Sequence, residues 1–172
     1  KGVIDADESE LKSIKYIKDN FIVLLKLIKE IHILYKKNAL EKTPLTSIEK
    51  IADYCIERIG HKKEEEFMVI YLDSGFRVLK EDRFPSKEFS FEGTINKTAV
   101  YPRKILEEAL KKKAYAIIIA HNHPSGILKP SDQDSNLTKL LVSILRPLEI
   151  VLYDHIIVSN NGYFSFRSSK LL

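Results

Sequence analysis

The sequence contains only one cysteine, Cys55. An intrachain disulfide and a cysteine-ligated zinc site are therefore both excluded. A lone cysteine is typical of a reducing compartment, so we expect a cytoplasmic protein. Cys55 falls on an apolar stripe at helical spacing, which favours packing in the core over a reactive thiol.

Long apolar runs are also missing. The most apolar stretch, residues 21–34, is interrupted by Lys26, Lys29 and Glu30 and is too short to span a bilayer. No signal peptide precedes this stretch, so we expect no membrane contact. The only methionine is Met68, and we therefore expect further residues upstream of Lys1.

Charge of one sign is only slightly in excess. The chain has 28 Lys and Arg against 24 Asp and Glu, a formal net charge of +4. This balance allows contact with nucleic acid but does not argue for it, and no basic stripe is interleaved with aromatic residues. A length of 172 residues with 44% apolar and 30% charged residues is typical of a globular core with a small appended module.

Helical patterns occupy the first 60 residues. Residues 8–18 predict a short helix, and apolar residues recur at helical spacing from Phe21 to Leu34. Residues 41–45 are predicted to form a linker. A third helix is predicted between Ser47, a plausible N-cap, and Gly60.

The pattern changes at Glu66, where strands begin to alternate with helices. Helices are predicted at residues 102–113 and 131–145. Strands are predicted at residues 67–72, 76–79, 88–95, 115–120, 149–153, 156–159 and 163–166. This mixture predicts an α/β fold, with a sheet covered by helices on both faces.

The informative stretch is His121-Asn122-His123, followed by Ser131 and Asp134. The two histidines follow an apolar strand at i and i+2, so their side chains point to the same side. Asp134 lies in the first turn of the next helix, which the loop can fold back over the histidines. Two imidazoles and a carboxylate, with water in the fourth position, form the open geometry of a catalytic Zn²⁺. Such a site also needs a glutamate as general base.

Each half of this pattern has a simpler interpretation. Histidine pairs are often structural, and Ser131-x-x-Asp134 is also the pattern of a helix N-cap with an acidic third residue. The capping and metal interpretations do not exclude each other. The joint spacing is what favours a single zinc ion bound by His121, His123 and Asp134.

These residues resemble the JAMM (MPN-type) metalloprotease motif, and the wider string resembles the RadC family. The segments GTIN at Gly93, YPR at Tyr101 and DHIIV at Asp154 share this resemblance. It implies a three-layer α-β-α sandwich with a mixed sheet, like that of cytidine deaminases, over residues 46–172. It also implies that Ser131 stabilises an oxyanion.

The resemblance places the general base at the start of an early strand, within Glu64-Glu65-Glu66. Glu65 fits the usual RadC register, whereas Glu66 directly precedes the phenylalanine as in archaeal JAMM proteins. Adjacent side chains face opposite ways, so only one of them can reach the metal, and the choice stays open. A solvated charge run is the simpler alternative.

Two further features come with the resemblance. The pair Asp154-His155 is interpreted as a buried, hydrogen-bonded structural pair, with support of a metal ligand as the alternative. Residues 1–40 resemble a degenerate helix-hairpin-helix module, in which Tyr16 and Lys18 replace the turn glycines. Without those glycines, backbone amides cannot approach a phosphate as closely, so we expect a mainly structural role.

The sequence thus predicts a zinc metallohydrolase, a metallopeptidase or isopeptidase that acts on a protein or peptide substrate. The alternative is a DNA-repair or recombination factor, or a nuclease, that binds DNA. A scaffold without catalytic activity is disfavoured because the ligand set is complete.

Overall fold

A computed structural model describes residues 3–4, 6–42, 44–45, 47–85 and 100–172. The chain divides into two compact units, Lys1–Ala39 and Leu40–Leu172. In the described part of the chain, no helix combines the length and the hydropathy that a membrane crossing requires.

The first unit is helical. Helix α1 spans Glu8–Lys12 and helix α2 spans Asp19–Lys42, so α2 continues into the predicted linker. Helix α1 is shorter than the predicted helix over residues 8–18. A single helix through residue 18 is excluded because Tyr16 has a φ of 74°, in the left-handed region that a right-handed helix cannot include.

The second unit is built around one sheet. Its helices are α3 (Ile48–Cys55), which continues as a π-helical turn over Ile56–Gly60, α4 (Val100–Lys111) and α5 (Asp132–Leu145). Its strands are β1 (Glu66–Leu72), β2 (Val78–Pro85), β3 (Ala116–Asn122), β4 (Val151–Ser159) and β5 (Gly162–Ser165). The strand order is β2-β1-β3-β4-β5. The β3–β4 pair is parallel and the other pairs are antiparallel, so the sheet is mixed.

Helices cover both faces of this sheet. Helices α4 and α5 pack on one face, where Ile117 and Ile119 of β3 join a buried apolar cluster with Leu137 and Leu141 of α5. The alternate β3 residue Ile118 is equally buried and points to the opposite face, on the side of α3 and its π-helical turn. Burial of each such side chain contributes about 1.5–3 kcal/mol. The predicted α/β class with a mixed sheet and N-terminal helices is confirmed.

Two predicted strands have different bounds. The strand predicted at residues 76–79 begins at Val78, because the Asp73 carboxylate accepts hydrogen bonds from the amides of Gly75 and Arg77 and extends the turn. The strands predicted at residues 149–153 and 156–159 are one strand, β4. Asp154 is tolerated inside it because its carboxylate accepts three hydrogen bonds, from His155, Ser165 and Arg167. The strand predicted at residues 88–95 lies outside the described residues.

Candidate metal centre

The two predicted histidine ligands lie at the end of the central strand β3. β3 lies between β1 and β4, and its ladder continues past its last residue because the His123 amide donates to the Val158 carbonyl. The rings of His121 and His123 meet on one side of the strand, with their Nε2 atoms 3.0 Å apart. The two histidines are two residues apart in a strand, so their rings lie on the same side, as the sequence predicts.

Asp134 reaches these rings from the first turn of α5. The chain reverses after β3 through a turn in which the Gly126 amide donates to the His123 carbonyl. Gly126 has a φ of 80°, a conformation that glycine adopts without the strain of a side chain. Asp134 Oδ1 lies 3.1 Å from His121 Nε2, and Asp134 Oδ2 lies 3.6 Å from His123 Nε2.

Of the two candidate bases, Glu65 faces the histidines. Its Oε1 atom lies 4.0 Å from His121 Nε2. Glu65, His121 and His123 each offer one ligand atom, and these atoms all lie within 4.8 Å of one another. The Glu66 carboxylate instead pairs with Arg83 at 3.2 Å and with Lys62 at 3.8 Å. The alternation of side chains along the chain separates the two glutamates.

The hydrogen bond of His123 determines its tautomer. Its Nδ1 atom lies 2.6 Å from the carbonyl oxygen of Ile127, which can only accept a hydrogen bond. Nδ1 must therefore carry the proton, and in the neutral ring Nε2 is left with a lone pair. That lone pair points to the space between His121 and Asp134.

A series of hydrogen bonds through His155 and Thr138 determines the tautomer of His121. Thr138 Oγ1 donates to the Asp134 carbonyl at 2.6 Å, so it must accept from His155 Nδ1 at 2.7 Å. In the neutral ring, His155 Nε2 then accepts from His121 Nδ1 at 2.9 Å. In the neutral His121 ring the lone pair is consequently at Nε2, on the side of His123, whereas in the protonated ring Nε2 donates to Asp134 Oδ1. Partners of this kind orient metal-ligating histidines in known metal sites.

The buried pair Asp154-His155 supports this series of hydrogen bonds. Burial, and then the charge that a protonated His121 would carry, lower the pKa of His155 well below its ordinary value, so the His155 ring is neutral. Burial raises the pKa of Asp154, against the effect of hydrogen bonds from Ser165, Arg167 and His155. His155 is thus both buried, as the sequence favoured, and in contact with a predicted ligand, as its alternative proposed.

Ser131 has the predicted capping geometry. Its hydroxyl accepts from the Asp134 amide at 3.1 Å, and its own amide donates to Asp134 Oδ2 at 2.7 Å. Its hydroxyl also donates to Oδ2, at 2.6 Å, whereas Oδ1 faces His121 Nε2 at 3.1 Å. Burial raises the pKa of Asp134, but the hydrogen bond and charge of a protonated His121, and the hydrogen bonds from Ser131, lower this pKa by more. The net pKa is below the ordinary value, so the group is a carboxylate.

This donor set fits a borderline metal ion. Two imidazole nitrogens whose lone pairs face each other in the neutral rings, beside the Asp134 carboxylate and the carboxyl group of Glu65, match the ligand chemistry of Zn²⁺. Exposure rises across the cluster, from 1% for the His121 side chain through 17% for His123 to 42% for Glu65. The cluster therefore opens to solvent on the Glu65 side, where water and a substrate can enter.

Comparison with known proteins identifies the family. The RadC-like JAB domain matches residues 45–171. The chain is 36% identical to a UPF0758 protein of Haemophilus influenzae strain 86-028NP and 35% identical to one of strain PittEE. Each match covers 99% of this chain and 75% of the relative. The chain belongs to the RadC family.

Membership in the RadC family places the chain among JAMM-type hydrolases, with Glu65, His121 and His123 as a group that could hold a metal ion. Of the other RadC segments, GTIN lies outside the described residues, and nothing is described of the Tyr101 side chain. DHIIV lies within β4 and includes His155.

The sequence interpretation did not identify three groups in and around this RadC site. Thr138 lies four residues after Asp134, and this helical spacing is the one pattern from which it could have been found. The Ile127 carbonyl is a backbone group that every residue has, so no sequence pattern could have indicated it. The third is Asn122, which lies between the two histidines and points to the opposite side of β3.

Proposed function

We propose that this RadC-family protein is a zinc-dependent hydrolase of amide bonds, a metallopeptidase or isopeptidase that acts on a protein or peptide. The observation that carries the proposal is the convergence of His121 Nε2, His123 Nε2, Asp134 and Glu65 on one partly exposed point. A purely structural cluster does not require a half-exposed carboxylate facing two imidazole lone pairs.

The proposed roles follow from these positions. His121, His123 and Asp134 hold the metal, and bound Zn²⁺ supplies a Lewis acid for a carbonyl oxygen and lowers the pKa of water to about 7. Glu65 accepts the proton of the attacking water and donates it to the leaving nitrogen. Ser131 supports the oxyanion, and because its hydroxyl donates to Asp134 in the structure, this role requires the hydroxyl to rotate.

The metal assignment is tested by elemental analysis of the purified protein. We expect about one zinc per chain, and loss of that zinc in His123→Ala, because one of the two imidazole ligands is removed. A protein purified without zinc, whose metal content and zinc affinity do not change in His123→Ala, would refute the proposal.

The base is tested with a matched pair of neighbouring variants, Glu65→Gln and Glu66→Gln. Both are assayed for zinc content and for cleavage of a fluorescence-quenched library of random peptides. We expect both to keep zinc. Glu65→Gln should lower cleavage by about 10²–10⁴-fold, the usual contribution of a general base, whereas Glu66→Gln should stay close to wild type. The opposite ranking would assign the base to Glu66.

The other finer expectations remain predictions. They are the cytoplasmic location and the DNA-repair or nuclease alternative. Salt-dependent binding of a DNA duplex, lost on removal of residues 1–40, would favour the DNA role.

A further inference from the structure

The side chain of Asn122 is completely buried at the end of β3, on the face opposite the histidines. It does not take part in the metal cluster. Its amide instead makes three hydrogen bonds to the backbone of residues 62–66, the segment that leads from the π-helical turn into the first residue of β1. The Oδ1 atom accepts from the Glu66 amide at 2.7 Å. The Nδ2 atom donates to the carbonyls of Glu64 at 3.1 Å and Lys62 at 3.3 Å.

These three bonds surround Glu65. The carbonyl of Glu64 belongs to the peptide group immediately before Glu65, and the amide of Glu66 belongs to the one immediately after it. Asn122 therefore binds both peptide groups that flank the Cα atom of Glu65. Restricting two consecutive peptide planes restricts the direction in which the side chain between them leaves the backbone.

The β1–β3 register explains why a side chain is needed at this point. The pairing of β1 with β3 ends at Phe67 opposite His121, and Glu66 has no partner in that register. Asn122 Oδ1 supplies the acceptor for the Glu66 amide. Nδ2 binds the preceding segment to the end of the strand through the carbonyls of Lys62 and Glu64. The carboxylate of Glu65 then lies 4.0 Å from His121 Nε2.

We propose that Asn122 is a positioning residue that holds Glu65 at the distance from the histidines that proton transfer requires. This inference rests on the proposed function, in which Glu65 is the base. It assigns a role to the residue between the two histidines. Residues 121–123 then provide two metal ligands on one side of β3 and the support of the base on the other.

The chemistry of the contacts requires an amide at this position. Aspartate has nearly the same shape and keeps the acceptor for the Glu66 amide, but it loses both donor hydrogens. Its charge would also face the carbonyl oxygens of Lys62 and Glu64. Asn122→Asp is therefore the main test variant, and Asn122→Ala removes all three bonds without adding charge. Ile118→Val, a smaller change on the same strand and face, is the control for a general loss of stability.

The first measurement is hydrogen exchange of the amides of residues 62–66 in the full zinc-loaded protein. We expect Asn122→Asp and Asn122→Ala to accelerate this exchange about 10–100-fold, while zinc content stays at the wild-type level and Ile118→Val exchanges as wild type does. Unchanged exchange in both Asn122 variants would overturn the inference. Loss of zinc in both would also overturn it, since Asn122 would then act on the metal ligands.

The second measurement is a double-mutant cycle on the library peptide that the wild type cleaves fastest. We expect Asn122→Asp to lower kcat at least tenfold with little change in KM, and to have no further effect in a Glu65→Gln background. An equal additional loss in that background would show that Asn122 does not act through Glu65. If the wild type binds no zinc or cleaves no peptide, the proposed function fails, while hydrogen exchange still decides whether Asn122 holds the Glu65 segment.

Discussion

At the scale of single residues, the candidate centre depends on atoms that its motif does not contain. The direction of the His121 lone pair is determined by His155 and Thr138, and that of His123 by the Ile127 carbonyl. In the series of hydrogen bonds from His121 through His155 and Thr138 to the Asp134 carbonyl, the donor of each bond is determined because a carbonyl oxygen can only accept. One threonine hydroxyl thereby connects two of the three predicted ligands.

We expect Thr138→Val to weaken zinc affinity about 10–100-fold, as loss of a partner of a ligating histidine usually does. Valine has the same shape but offers His155 no acceptor. The measurement is competition with a chromogenic chelator at fixed pH. Thr138→Ser restores the hydroxyl and should bind zinc nearly as tightly as wild type. Equal affinity in Thr138→Val and wild type would show that the hydroxyl does not influence the metal.

The sequence pattern predicts the candidate ligands but does not distinguish Glu65 from Glu66. The pattern His121-x-His123 with Ser131-x-x-Asp134 was sufficient to predict a cluster, because strand and helix periods place these side chains. It could not separate Glu65 from Glu66. That choice depends on the β1–β3 register and on the hydrogen bonds of Asn122, which join residues more than 40 positions apart in the sequence.

At the scale of elements, the clearest departure from local preference is the turn between α1 and α2. Tyr16 has a φ of 74° and is exposed, so its side chain gains little from packing to offset the strain. A turn glycine was expected at this position in an intact helix-hairpin-helix. The backbone at Tyr16 therefore has the left-handed conformation that such a glycine would adopt without strain.

We expect Tyr16→Gly to raise the free energy of unfolding by about 0.5–1 kcal/mol, because relief of left-handed strain exceeds the added entropy of the unfolded chain. Lys18→Gly is the matched control. Lys18 is not among the described residues with positive φ, so this change should be neutral or destabilising by a few tenths of a kcal/mol. Urea denaturation followed by circular dichroism measures both. A destabilised Tyr16→Gly protein would contradict this account.

At the scale of the whole molecule, packing of α3 against the sheet buries Cys55. Cys55 is the last residue of α3, and its thiol is fully buried. Burial, followed by the charges of Glu81 and Asp154, raises the pKa of Cys55 well above the ordinary value of a thiol. At neutral pH the group is therefore protonated and inaccessible, in agreement with its assignment to the core.

Labelling of Cys55 by a chromogenic disulfide reagent at pH 8 should consequently report the opening of the folded unit. We expect the native protein to react at least about 10³-fold more slowly than the urea-unfolded chain, because labelling requires a rare open state. Cys55→Ala provides the unlabelled baseline. Rapid stoichiometric labelling of the native protein would show that the thiol is accessible and that this core assignment is wrong.

The sequence by itself determined the class of the fold, the family and the set of candidate ligands. These depend on short-range periods, namely two residues for a strand and three to four for a helix, together with a motif compact enough to recognise. Tertiary structure decided which glutamate faces the histidines, which ring nitrogens carry protons and that Asp154 lies inside one continuous strand. These features depend on strand register and on hydrogen bonds between distant segments, which form only when the whole chain has folded.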